Sequence, residues 1–152
     1  MIAPTDDTLA QLCALIKQFE GLSLRPYLCP AGVPTIGYGS TRYEDGRRVD
    51  LADPPIAPAR ADAMLERDAR AAMADALALS PGLRGPRLVA IADFVYNLGA
   101  GAYGKSTLRQ RVDAGDWRGA VTEINRWVNA NGKPLAGLVK RRGAEARLLE
   151  GA

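Results

Sequence analysis

Glu20 closes a helix-patterned segment at Phe19-Glu20-Gly21, and the residues that follow, Leu24 to Gly39, read as a Gly-rich β-hairpin. A carboxylate at a helix C-terminus sits beside the partial negative charge of unpaired carbonyls, which disfavours its ionised form. An acid kept protonated near neutrality, facing a groove with little side-chain bulk, is suited to protonating a departing oxygen. The reaction class this favours is hydrolysis, and glycosidic bonds first. Their cleavage needs an acid for the leaving oxygen and a second group for water or the oxocarbenium-like centre. Holding a carboxylic acid protonated at neutral pH takes roughly 2–4 kcal/mol, at 1.36 per pH unit. A helix end supplies only about 0.3–1 kcal/mol. The remainder must come from burial near Phe19 and the hairpin, and a neighbouring guanidinium such as Arg141 or Arg142 would push the other way. Alone, Glu20 reads as a solvated carboxylate; the hairpin is what argues for more.

The chain has no histidine. Ser-His-Asp and Cys-His nucleophile pairs therefore lack their base, and His-based zinc sites lack their ligands. Its two cysteines, Cys13 and Cys29, are too few for a four-cysteine metal site or a disulfide-stapled fold. The stretch 99–106 spells GxxxxGK[ST] and contains GxGxxG, but it follows a helix-patterned segment and not a strand, so it gives no support to nucleotide chemistry. Chemistry is left to carboxylates, hydroxyls and thiols, with no cofactor and no metal expected. At 152 residues, 47% hydrophobic and 24% charged, the makeup is that of an ordinary globular domain. Charge is uneven, however. Residues 1–96 carry 10 Lys/Arg against 12 Asp/Glu, and residues 97–152 carry 10 against 5. Such a basic C-terminal half is either a solvated surface or favours an anionic partner: nucleic acid, an acidic membrane surface or cell-wall polymer. The stretch Met1 to Asp7 has neither basic residues nor a long apolar run, so no signal peptide or membrane anchor is expected.

Periodicity supplies the elements that must position Glu20. Leu9, Leu12, Cys13, Ile16 and Phe19 keep the spacing of one buried helix face. That helix starts near Thr5 or Asp6, both able to cap it, and Gly21 is its C′ residue. Cys29-Pro-Ala-Gly32 fits a turn with Pro at its second position. After it, Thr35, Gly37 and Gly39 share one strand face and Ile36 and Tyr38 the other, leaving the first face open to a bulky ligand. A third strand or loop near Tyr43 to Leu51 completes a small sheet, and Asp53-Pro-Pro-Ile-Ala-Pro58 is a stiff linker.

An Ala-rich helix over about 59–79 follows, with Ala61, Met64, Leu65, Ala69, Ala72, Met73 and Ala76 on one side; it is long enough to act as a strut. Leu88 to Leu98 is apolar nearly all round and reads as a central helix, ended by Gly99 and Gly101. Ser106 or Thr107 opens a short helix closed by Gly115, and Asp116 caps another that runs to Trp127. Asn131-Gly132-Lys133-Pro134 is a turn, and Leu135 to Leu149 is the last helix. The fold class is α+β, in a single domain over 1–152. It comprises an N-terminal helix plus sheet lobe over about 1–57, the linking helix over about 59–79 and a helical lobe over about 86–152, with a cleft between.

Taken together, Leu15-Ile-Lys-Gln-Phe-Glu-Gly21, Tyr27 and Gly32-Val-Pro-Thr-Ile-Gly-Tyr-Gly-Ser-Thr41 resemble the active-site region of phage-type lysozymes, the endolysin muramidases of glycoside hydrolase family 24. The likeness continues through Phe94-Val-Tyr-Asn-Leu-Gly99, Ser106-Thr-Leu108, Ala114-Gly-Asp116, Arg126-Trp127 and Gly137-Leu-Val-Lys-Arg-Arg142 with Glu145. The family pattern is a Glu, eight residues, an Asp, five residues, then a Thr. Here Glu20, Cys29 and Thr35 keep that spacing, with the Asp replaced.

The resemblance implies a lysozyme-like fold and hydrolysis of the β-1,4 bond between N-acetylmuramic acid and N-acetylglucosamine, for host cell lysis. It makes Glu20 the general acid and gives Thr35 the attacking water on the opposite sugar face, so that the anomeric centre inverts. Tyr96, Asn97 and Thr107 match the cleft wall that contacts the glycan. Three roles stay open for Cys29: a thiolate base, a weak polar group ordering water with Thr35, or a bystander. A free thiol is only about 3% ionised at pH 7. Ser40 also departs from the family, whose members often carry His there. The implied partner is the peptidoglycan strand. The resemblance involves no nucleic acid and no stable membrane insertion, and implies a monomer held in the host cytoplasm until a holin opens the way to the periplasm. The alternatives are a lytic transglycosylase leaving anhydro-muramic ends, and a peptidoglycan-binding domain that has lost catalysis.

Overall fold

The computed structural model describes residues 6–151, with side chains from residue 7 onward; the expected cap at Thr5 or Asp6 and the stretch before it lie outside the described side chains. Helix α1 (Asp6–Glu20) places Leu9, Leu12, Leu15 and Ile16 in the core, while Cys13 and Phe19 are only partly covered. It stops where expected. Gly21 takes φ +69°, a conformation open to residues without a Cβ, and its N–H closes on Lys17 O at 3.3 Å.

Strands β1 (Ser23–Leu28) and β2 (Pro34–Gly37) then pair antiparallel, with Tyr27 opposite Thr35 and Leu28 opposite Pro34. The register is irregular between Ser23 and Tyr27, where Pro26 has no N–H to give a ladder. The turn at Cys29-Pro-Ala-Gly32 forms as its residues predict, with Gly32 N–H donating to Cys29 O at 2.8 Å. Of the strand or loop anticipated near Tyr43 to Leu51, it is the loop that forms. Residues 43–51 make turns, pinned by a single bridge between Arg42 and Arg48 and by Asp53, whose carboxylate takes Tyr43 Oη–H at 2.8 Å.

The Pro-rich linker leads into α2 (Pro58–Leu79), whose first residue is a proline that needs no helical donor. Its 22 residues span about 33 Å and serve two cores. Ala61 and Met64 pack with Ile36, Tyr43, Val49 and Ile56 of the small lobe. Leu65, Ala69, Ala72, Met73 and Ala76 belong to the larger core. The central helix α3 (Gly85–Leu98) starts before the expected Leu88, and α4 (Ala100–Lys105) follows at once, so Gly101 lies inside a helix instead of ending one. Next come α5 (Thr107–Asp113), capped by Ser106 Oγ, and α6 (Trp117–Ile124), capped by Asp116. The latter stops short of Trp127, whose ring packs edge-on against Phe94. Asn131 and Gly132, at φ +53° and +79°, form the tight turn of a hairpin between β3 (Asn129–Ala130) and β4 (Lys133–Pro134), and α7 (Ala136–Leu149) completes the chain.

Candidate active site

Glu20 sits half-buried at the end of α1, held from two sides. Its Oε1 accepts from Arg141 at 3.2 Å. On the other side is the backbone of Gly39, so close that a Cβ there would lie 2.6 Å from Glu20 Oε2. Gly39 also has φ +90°. Of the two glycines expected to leave an open face, only Gly39 does. Strand β2 ends at Gly37, which turns toward α2, where a Cβ would meet Ala61 at 3.7 Å.

Arg141 is itself fixed from behind. Its Nε and one terminal nitrogen bond both oxygens of Asp93, at 2.9 and 2.8 Å, in a fork. Asp93 is fully enclosed in α3. Arg142 reaches Glu145 Oε1 at 2.9 Å and also donates to Asn97 Oδ1. The sequence placed Asn97 on the cleft wall; its carbonyl oxygen instead faces this buried cluster. Tyr96 donates its hydroxyl to Tyr38 O at 2.5 Å, tying α3 to the turn before Gly39. Burial first, then the nearby Asp68 and Glu20 charges, push its phenol far above the ordinary value, so it remains a neutral donor.

Cys29 and Thr35 lie on the hairpin. Thr35 is buried, and its hydroxyl donates to Val33 O at 2.8 Å. Cys29 is a free thiol, held below its ordinary value chiefly by the Val33 N–H; burial opposes this, and the Ala31 and Gly32 N–H groups reinforce it. The register pair Tyr27–Thr35 puts the tyrosine ring on the same sheet face as Thr35. Thr107, the remaining cleft residue expected from sequence, is exposed at the first position of α5 and shares no hydrogen bond with this group.

A groove of about 450 Å³ opens beside Gly39 and Tyr96, with Thr41, Arg42, Asp68 and Gly99 among its lining residues. Ser40 keeps a strap to α2 by donating to Asp68 at 2.6 Å. Among the described residues no three His, Cys, Asp or Glu side chains converge as a metal-binding group. Asp93 and Glu145 were not singled out as site residues by sequence reasoning. The signal for Asp93 was an acid inside an otherwise apolar helix, and for Glu145 the Arg-Arg-x-x-Glu spacing.

A half-buried carboxyl at a helix end, facing a hairpin across a cleft in an α+β fold of this layout, defines a lysozyme-like glycoside hydrolase. The family model described as phage lysozyme matches residues 17–145, and the chain belongs to that family. The endolysin of Acyrthosiphon pisum secondary endosymbiont phage 1 is 40% identical to it over 146 residues, covering 91% of this chain and 94% of that one. The SAR-endolysin of Escherichia phage Mu is 34% identical over 133 residues, covering 83% and 71%. Among solved structures, the endolysin from Escherichia coli O157:H7 phage FAHEc1 superposes with a TM-score of 0.81 at 29% identity, covering 97% and 93%. The chain is a peptidoglycan-degrading endolysin of the lysozyme type.

Proposed function

We propose that Glu20 is the general acid for the muramic acid–glucosamine bond, and that Cys29 and Thr35 position and activate the attacking water. The observation that carries this reading is the placement of the half-buried Glu20 carboxyl between Arg141 and the bare backbone of Gly39, a residue that lines the groove. A sugar oxygen brought to Glu20 takes its proton; the carboxylate left behind is stabilised by Arg141 at 3.2 Å.

Thr35 spends its only proton on Val33 O, so its oxygen is left as an acceptor toward water. A thiolate at Cys29, favoured by the surrounding N–H groups, accepts the second water proton. With one hydrogen of the water held by Thr35 and kept in the new sugar hydroxyl, and the other passing to the thiolate, the water lone pair is aimed at the anomeric carbon from the face opposite Glu20, and the centre inverts. The groove beside Tyr96 takes neighbouring sugars, with Asn97 backing the wall and Thr107 at its outer end.

Glu20→Gln is expected to cut lysis of permeabilised Gram-negative cells by about 10²–10⁴ while leaving the melting transition in place; near-native lysis would remove Glu20 as the acid. Mass and anomer analysis of digested cell wall tests the reaction type. Addition of one water with an inverted anomer is expected, whereas anhydro ends would make the protein a transglycosylase. Access to the wall through a membrane lesion of the kind a holin makes belongs to the same proposal. Expressed alone, the protein should leave Gram-negative cells intact until chloroform is added.

A further inference from the structure

We propose that Glu145 is the carboxyl that stays protonated in the buried cluster, and that its proton is what leaves Asp93 free to hold Arg141 against Glu20. The cluster joins two guanidinium groups, Arg141 and Arg142, to three carboxyls, Glu20, Asp93 and Glu145. Arginine does not give up its proton, so once Glu20 has given up its own, two positive charges balance two carboxylates and no more. A third, taken out of water, would be an uncompensated buried anion.

The hydrogen bonds single out Glu145. Both Asp93 oxygens are filled by the Arg141 fork, as an ionised carboxylate requires. Glu20 is only half-buried and lies against Gly39 of the groove lining, where water can compensate its charge once its proton has gone. Glu145 is fully enclosed; its Oε1 takes Arg142, while no donor is aimed at its Oε2. The group alongside is the Asp93 carboxylate, itself an acceptor. Two acceptors in contact, with nothing between them, need a proton, and Glu145 has the vacant oxygen to carry it.

The groups facing Glu145 are Asp93 from α3 and Arg142 and Arg141 from its own helix. The other helix packed on α7, α6, carries Arg118 and Glu123, the latter paired with Arg126. Burial, reinforced by the hydrogen bond and charge of Asp93, pushes the Glu145 carboxyl well above its ordinary value. Burial also pushes Asp93 up, but its bonds to Glu145 and Arg141 outweigh that and hold it below.

The consequence for catalysis rests on Glu20 as the acid. With Glu145 neutral, Arg141, Arg142 and Asp93 carry one net positive charge, and the carboxylate formed when Glu20 gives up its proton balances it. An ionised Glu145 would cancel that charge beforehand. Glu145 touches no substrate and is a positioning residue acting through Asp93 and Arg141.

Protein with ¹³C-labelled glutamate carboxyls tests this, in the wild type and in Glu20→Gln, which removes the other cluster glutamate. One carboxyl should keep its protonated shift from about pH 4 to about pH 7 and be absent from Glu145→Gln. If every glutamate in Glu20→Gln titrates in the ordinary range, the proposal is overturned, whether or not Glu145→Gln folds.

Melting gives a second readout. The wild-type fold must keep a proton that the unfolded chain releases above the free-carboxyl range, so its stability falls as pH rises. The melting temperature of Glu145→Gln relative to wild type should therefore climb from about pH 5 to about pH 8; a flat or shrinking difference would overturn the proposal. Gln can still donate to Asp93 and Leu cannot, so turnover of Glu145→Gln should exceed that of Glu145→Leu about tenfold or more. Equal turnover would reduce Glu145 to a packing role. None of the titration or melting results depends on turnover. Failure of Glu20 as the acid would appear separately, as retained lysis by Glu20→Gln.

Discussion

The absence of a methyl group at position 39 determines how closely the hairpin approaches the Glu20 carboxyl. Gly39→Ala would set a Cβ 2.6 Å from Glu20 Oε2 and force a side chain onto a φ of +90°. Turnover is expected to fall about 10–10²-fold as the carboxyl is displaced, with about 1–2 kcal/mol of stability lost to backbone strain; steady-state lysis and denaturant titration measure the two separately.

At Cys29 the prediction concerns pH. A base must be ionised to work, so a thiolate base loses activity as pH falls below the thiol's value, which is already lowered chiefly by the Val33 N–H. Cys29→Asp should extend activity to lower pH, and Cys29→Ala should lower it throughout. If Ser, Ala and Asp variants all follow the wild-type profile, the thiol has no chemical part. At this scale the placement of Glu20 at a helix end and of Cys29 and Thr35 on one hairpin was legible, because their spacing is local. It misread Gly37, since a φ of +69° turns the chain out of strand alternation and toward α2.

Between elements, α3 and α7 are joined by the fork from Arg141 to Asp93, 48 residues apart in the chain. Asp93→Leu would strip the buried Arg141 of its forked partner, leaving only the 3.2 Å contact to Glu20, and is expected to cost about 3–5 kcal/mol, measurable by chemical denaturation. The two acids of this interface have opposite pH signatures. Asp93, held low by its partners despite burial, contributes stability that is present above the free-carboxyl range and lost as pH falls. Glu145, raised by burial, takes stability away as pH climbs.

An acid within Leu88 to Leu98 is visible as an anomaly in the sequence, but its cation is not, because nothing in one helix names the residue of another that will face it. Helix ends were more legible where a cap or a left-handed glycine marked them, as at Gly21, Ser106 and Asp116. Helix α4 was missed because Gly101 looked like a terminator, although the chain had already turned at Gly99, φ +96°.

At the scale of the whole molecule, α1 precedes the hairpin in the chain but packs with the helical lobe. Leu12 and Ile16 are fully buried in the same core as Ile91, Phe94 and Leu108. Its apolar stripe announced a buried face without saying which lobe would cover it. Leu12→Ala should therefore destabilise the helical lobe by about 2–5 kcal/mol. Denaturant unfolding followed by tryptophan fluorescence checks this, since Trp117 and Trp127 both pack on that core. With Glu20 as the acid and Cys29 and Thr35 holding the water, as proposed above, the same arrangement divides the reaction between two bodies. The proton donor, Arg141 and the charges behind it travel with the helices, whereas Cys29 and Thr35 ride on the sheet. Parting the jaws to admit a cross-linked polymer from the side would therefore lengthen the gap between acid and water while leaving the donor's electrostatic surroundings assembled, so that closing on a sugar has only the nucleophile left to bring into line.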